Sequence, residues 1–118
     1  MPNLNAALLC AQLSQLQCYV DNKRDTASKY SNFCKTNKIE LIEEPNNARS
    51  NYWLNTLLLN NYDEQQEFLE YANSHGLMSR PAWTLLTELP MFSGCFSMPQ
   101  ITAKFLSQRL VNIPSSVR

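Results

Sequence analysis

The side chains able to do chemistry here are few, and most stand where folding alone accounts for them. His75 is the single histidine, the residue type most often used as a general base. It adjoins Gly76, however, and a histidine just before a helix-ending glycine faces the negative end of the helix dipole. Ser115 and Ser116 follow Pro114 with no histidine–aspartate pair to activate a hydroxyl, so no catalytic nucleophile is expected there. Asp63, Glu64, Glu67 and Glu70 recur at i, i+3 and i+4 spacing, which suits one solvated helix face better than a metal site. Cys10, Cys18, Cys34 and Cys95 show no C-x-x-C spacing, and a single histidine cannot complete a zinc set. Three of them fall on one predicted helix, whose rise of about 1.5 Å per residue parts Cys10 from Cys18 by more than a disulfide spans. All four are expected to be reduced, buried, small apolar residues, and no metal site is expected.

Arg80 and Trp83 have side chains suited to binding, though no spacing around them singles them out as a site. A guanidinium grips phosphate or carboxylate in a fork, and an indole covers the face of a sugar or base. The competing reading is a surface arginine at a strand end beside a tryptophan that anchors a loop. Trp53, Tyr52 and the run Leu57 to Leu59 read as a buried strand rather than as a ligand wall.

These residues need elements to hold them. Residues 5–35 contain neither proline nor glycine, and Leu9, Leu13, Leu16, Val20, Ala27, Tyr30 and Cys34 recur at helical spacing. One long amphipathic helix is predicted, with Asn3 and Asn5 as caps after Pro2 and with Gln12, Gln15, Asn22, Lys23, Asp25 and Lys29 toward solvent. A short strand follows over residues 39–44, then a turn at Pro45-Asn46-Asn47. Residues 51–59, apolar on both parities, predict a central strand covered on both faces. Asp63 is expected to cap a second helix running to Ser74, closed by His75-Gly76. Leu77 to Arg80 enters a strand that Pro81 limits. Residues 89–99 are apolar for a loop and are expected to press against something. A third helix (residues 100–110) and a strand (residues 111–113) complete an α+β sandwich: a small, largely antiparallel sheet of three to four strands with helices packed on it.

At 118 residues with 44% hydrophobic side chains, residues 1–118 are expected to form one domain with a modest core. Ten Lys plus Arg balance ten Asp plus Glu, so no long-range field draws the chain to nucleic acid. Neither a leader-like start nor a run of roughly 18 apolar residues is present, so a soluble, unexported, cytoplasmic protein away from membranes is expected.

Block by block, the sequence resembles the small domain of the DegT-type (DegT/DnrJ/EryC/StrS) nucleotide-sugar aminotransferases. Met1-Pro2-Asn3-Leu4-Asn5-Ala6-Ala7-Leu8 through Leu13 is similar to the segment that opens that domain, although Leu9 stands where the family usually has glycine. Ser50 to Asn55 resembles the family's central strand. Gly76-Leu77-Met78-Ser79-Arg80-Pro81-Ala82-Trp83 resembles its Arg-Pro-x-Trp segment, and Leu89 to Phe92 and Val111 to Ser116 resemble the later landmarks. The order and spacing of these blocks span nearly the whole chain. The variant most similar to it makes aminated sugars on the route to nonulosonic acids such as legionaminic acid.

The resemblance implies a carboxy-terminal small domain of a dimeric, pyridoxal-phosphate-dependent transaminase, with the Schiff-base lysine on a large domain. Lys23, Lys29, Lys35, Lys38 and Lys104 lie on predicted helix surfaces or at a turn, and none matches the catalytic lysine. No catalytic or cofactor-binding residue is therefore expected in this chain, and Arg80 and Trp83 are implied at the substrate cleft. Three readings follow: a small domain without catalysis of its own, truncated or completed by a separately encoded large domain; a self-associating or protein-interaction module; or a binder of nucleotide sugars. The second would form a homo-oligomer through Leu4, Leu8 and Leu9 of the first helix, which in the parent architecture pack on the large domain.

Overall fold

The computed structural model describes residues 2–117; Met1, which opens the first resemblance block, and Arg118 lie outside the described residues. In chain order the elements are α1 (Asn3–Leu13), α2 (Leu16–Asn37), β1 (Glu40–Leu41), β2 (Asn55–Leu58), α3 (Tyr62–Ser74), β3 (Arg80–Pro81), α4 (Ile101–Ser107) and β4 (Leu110–Ile113). Two single 3-10 turns, Leu86–Glu88 and Pro90–Phe92, lie between β3 and α4.

The long helix predicted over residues 5–35 is two helices. The Ser14 hydroxyl donates to the Ala11 carbonyl at 2.9 Å, and Gln15 N–H bonds the Gln12 carbonyl in a tightened turn. A serine that binds the preceding turn in this way competes with the helical ladder. The apolar spacing runs across the break, which hid it. Pro2 stands at the N-cap of α1 without a side-chain bond, so the expected Asn3 and Asn5 caps are not made.

α2 ends in a six-to-one closure. Ile39 N–H bonds Cys34 C=O at 2.9 Å and Lys38 N–H bonds Lys35 C=O, with Lys38 at φ 57°. That left-handed position is ordinarily glycine's. The mirror case closes α3, where Gly76 at φ 75° lets Leu77 N–H reach Ala72 C=O at 2.9 Å. At the other end of α3 the cap is Asn61 rather than Asp63: its side chain accepts from Glu64 N–H at 2.9 Å.

The sheet runs β1-β2-β4-β3, antiparallel throughout, with β2 and β4 sharing its centre. Leu57 faces Val111, which is fully buried. Leu57, Leu59, Val111 and Ile113 share one face of the sheet with Cys34 of α2, and Tyr30, Phe68 and Leu69 pack around them. Both α2 and α3 therefore lie on that face, giving the expected α+β arrangement of helices on a small antiparallel sheet. Burial alternates along β2, so its second face is half-covered rather than buried. The strand also starts four residues later than the predicted residue 51. Ser50 Oγ accepts from Tyr52 N–H and Asn51 Oδ1 from Trp53 N–H, occupying donors that a ladder would use.

The remaining apolar segments stay outside the core. No residue of α1 is buried, and Leu4 is 80% exposed. The loop expected to press against something is open, with Met91, Phe96 and Met98 exposed. Of the cysteines only Cys34 is buried, while Cys10, Cys18 and Cys95 are exposed, contrary to the buried role expected for all four. Burial, with Glu43 beside it, pushes the Cys34 thiol up. Among the described residues no helix is long and apolar enough to cross a membrane.

Two acids tie α2 to the segment after β1. Arg24 grips both Glu44 oxygens at 2.9 and 3.3 Å, and Lys35 meets Glu43 at 2.8 Å. The Arg24 bond, then the Ser50 N–H, hold the Glu44 carboxyl below its ordinary 4.5; Lys35, then Ser31, do the same for Glu43. Because both folded values are depressed, the unfolded chain binds more protons in acid. Their contribution is present above the ordinary carboxylate value and is lost as pH falls through the folded values. The urea midpoint should stay level from pH 7 down to about 5 and drop below that, with a shallower acid limb in Glu44→Gln. A variant with an unaltered acid limb would show that the pair has no such linkage. Lys38→Gly should raise stability by about 0.5–1 kcal/mol, because relief of the left-handed lysine outweighs the added freedom of the unfolded chain. Chemical denaturation of the two proteins measures it, and a loss of stability contradicts it.

Candidate functional site

Arg80 and Trp83 line an open groove of about 790 Å³, together with Trp53, Asn112 and Pro114 to Ser116. Their segment is positioned from α3 onward. Past the Gly76 turn, the Asn73 amide bonds both backbone groups of buried Ser79, at 3.0 and 3.1 Å. This fixes the chain as it enters β3, where Arg80 faces Asn112 and Pro81 faces Val111. Proline suits that strand because β3 is at the sheet edge, where a missing donor breaks no ladder.

Trp83 follows β3 with 72% of its surface exposed, so it anchors nothing in a core. Its ring centroid lies 5.9 Å from that of Trp53, at 32° between planes. Trp53 is itself 62% exposed, which corrects the reading of a buried strand residue. Asn51 and Ser50 ahead of it carried the missed signal: both are turn-forming side chains, and both take backbone donors here. Among the described residues the Arg80 guanidinium makes no hydrogen bond or ion pair, and no carboxylate lines the groove. Lys23, expected only to face solvent, donates to the carbonyls of two groove-lining residues, Ser115 at 2.6 Å and Trp53 at 3.5 Å. Two indole faces and an unneutralised guanidinium suit a flat ligand bearing negative charge.

The other candidates settle into structural roles. Ser115 Oγ accepts from Asn55 N–H and its amide and donates to Ile113 C=O, so its hydroxyl is committed. His75 Nδ1 donates to Tyr71 C=O at 2.8 Å and its ring packs on Tyr71 at 4.2 Å, at the carboxy-terminal end of α3. Glu64 binds Asn60 N–H and amide, and among the described residues no cluster of His, Cys, Asp and Glu could hold a metal ion. A second groove of about 690 Å³, between Leu85-Leu86 and the start of α4, has no ionisable lining residue.

Pyridoxal phosphate, the cofactor the resemblance implies, needs a lysine whose amine is deprotonated by desolvation or by a neighbouring cation. Lys29 pairs with Asp25 and Lys35 with Glu43, Lys23 binds carbonyls, and Lys38 and Lys104 are exposed. The described residues do not fit that role, and no step of transamination is derived through them.

Comparison with known proteins agrees with this architecture. The DegT/DnrJ/EryC1/StrS aminotransferase family matches residues 1–118. GDP-perosamine synthase of Escherichia coli O157:H7 is 26% identical over 115 residues, covering 98% of this chain and 31% of that protein. The Vibrio cholerae GDP-perosamine synthase is 26% identical over 118 residues, covering 98% and 32%. Among solved structures, Helicobacter pylori PseC, an aminotransferase involved in the biosynthesis of pseudoaminic acid, superposes with a TM-score of 0.83 at 14% identity, over 92% of this chain and 30% of that one. A DegT DnrJ EryC1 StrS aminotransferase from Brucella abortus superposes with a TM-score of 0.77 at 19% identity, over 94% and 30%. At such identities the structures speak for the fold alone. The chain spans a little under a third of the length of the curated relatives it matches. With residues 1–118 matched by one family pattern and over nine-tenths of the chain superposed on one fold, the chain belongs to the DegT/DnrJ/EryC1/StrS aminotransferase family.

Proposed function

We propose that residues 1–118 act as the carboxy-terminal small domain of a pyridoxal-phosphate-dependent nucleotide-sugar aminotransferase, with the Arg80–Trp83 groove holding the charged, flat part of the sugar nucleotide. The observation that carries the reading is the unpaired Arg80 guanidinium on a carboxylate-free groove with Trp53 and Trp83. A nucleotide sugar offers a diphosphate for the first and a base or pyranose face for the second. The assignment to nonulosonic acid routes rests on the resemblance of the sequence blocks, and the similarity to GDP-perosamine synthases supports a sugar substrate in the broader sense.

The rest of the catalytic apparatus belongs, in this reading, to a large domain in the same polypeptide or in a separately encoded one. The accessible surface of 9240 Å² supports it, since a folded chain of this mass exposes about 6,600 Å² when it stands alone. The radius of gyration, 17.6 Å, likewise exceeds the roughly 13.5 Å of a compact chain of this length. A second reading, favoured by the exposure of Leu4, Leu8 and Leu9, is that α1 covers itself in a homo-oligomer.

Incubation with pyridoxal phosphate and borohydride should leave no lysine modified at a single site, and one stably trapped lysine overturns the first reading. Titration with nucleotide sugars should show Arg80→Ala weakening binding roughly tenfold or more, the weight of a charge-assisted bond to phosphate. Equal affinities would remove Arg80 from the site. For the second reading, light scattering should find an oligomer that Leu8→Glu disperses; a monomer at high concentration refutes it.

A further inference from the structure

Trp53 reaches the groove through a backbone conformation that large side chains avoid. The residue before it, Tyr52, sits at φ 46°, a left-handed geometry that strains any non-glycine residue. Something must hold it, and the contacts around it converge on the Arg24–Glu44 pair. Arg24 Nη1 donates to the Ser50 carbonyl at 2.6 Å while also meeting Glu44, and the Ser50 N–H donates to the same Glu44 carboxylate. Both backbone groups of Ser50 are thus taken by one ion pair. Ser50 Oγ then accepts from Tyr52 N–H at 3.0 Å, and the Arg24 guanidinium lies 5.4 Å from the centre of the Tyr52 ring. On the far side of the turn, Lys23, the neighbour of Arg24 on α2, takes the Trp53 carbonyl. Two consecutive cations of one helix therefore hold the turn before and after its strained residue.

Strain of this kind persists only where the surroundings over-determine it, and it gathers at binding sites. Here its product is an indole turned out of the sheet line to lie beside Trp83. We propose that Arg24 and Glu44 are positioning residues, acting through Ser50 and Tyr52 to set Trp53 as half of a two-indole platform on which the base of a nucleotide sugar stacks while its phosphates meet Arg80. The proposal rests on the nucleotide-sugar reading of the groove for its ligand, though not for the placement of Trp53. At 5.9 Å between centroids the two rings leave no slot for a third ring, so the base stacks on the outer face of the pair.

Two readouts separate these parts. Without ligand, the neighbouring indoles should give an exciton couplet in circular dichroism that Trp53→Phe and Trp83→Phe each abolish. Glu44→Gln should reduce the couplet by more than half. Lys35→Ala, which breaks the other α2 tether without touching Ser50, should leave it intact. Ser50→Ala removes one hydroxyl between the clip and Tyr52; it gives a second test if Glu44→Gln unfolds, and it should also weaken the couplet. An intact couplet in Ser50→Ala, or in a folded Glu44→Gln, overturns the positioning role, as does an equal loss in Lys35→Ala. With GDP- and UDP-sugars, Glu44→Gln and Ser50→Ala should bind roughly three- to tenfold more weakly, the range of one aromatic stacking contact. Affinity for the free sugar equal to that for its nucleotide overturns the base-stacking assignment. A couplet that responds as described in a chain that binds no nucleotide sugar upholds the placement of Trp53 and overturns the ligand reading alone.

Discussion

The pairing of β2 with β4 is the constraint on which the other elements depend. It joins residues more than fifty apart in sequence, sets Leu57 opposite Val111, and leaves Val111 without contact with solvent. Cys34 and Tyr30 of α2 close on that pair from one end and Phe68 and Leu69 of α3 from the other. The same register places Arg80 opposite Asn112 on the edge strand, and brings Ser115 under Asn55 just beyond the last strand. A slip of one residue in β4 would turn Val111 outward and carry the groove wall with it.

Around this core the chain keeps more surface in solvent than a compact protein of its mass. The excess has an address: all of α1, and the stretch from Trp83 through the 3-10 turns into α4. Apolar side chains at this density favour covering by other protein. The relatives, each about three times as long, contain further chain that could provide it.

The backbone of the groove is held by ordinary devices, such as the Asn73 amide on Ser79 and the glycine closure of α3, yet Arg80, Trp53 and Trp83 are left exposed. Tyr52 shows the cost of that arrangement in its backbone, and the Arg24–Glu44 pair shows how it is met. The lysine amines, by contrast, are engaged by acids or carbonyls or stand in open solvent.

Helical spacing, turn residues and the order of short blocks were enough, from sequence, for the α+β class, the three principal helical regions, the glycine that ends α3 and the aminotransferase family. Those are local or serial features, carried by periodicity and by residue type. Arg80 and Trp83 entered as candidates through the likeness of their segment to the family's Arg-Pro-x-Trp segment. Several features were decided only by tertiary structure. The Ser14 break in the first helix depends on a hydroxyl choosing a carbonyl over water. Trp53 was read as buried because an aromatic among leucines looks like core; its exposure depends on a turn fixed by Glu44 and Arg24 from distant segments. The open loop after β3 and the bare leucines of α1 were apolar by composition in any reading. Whether such surface is buried is a property of what the chain folds against, which residue type alone does not encode.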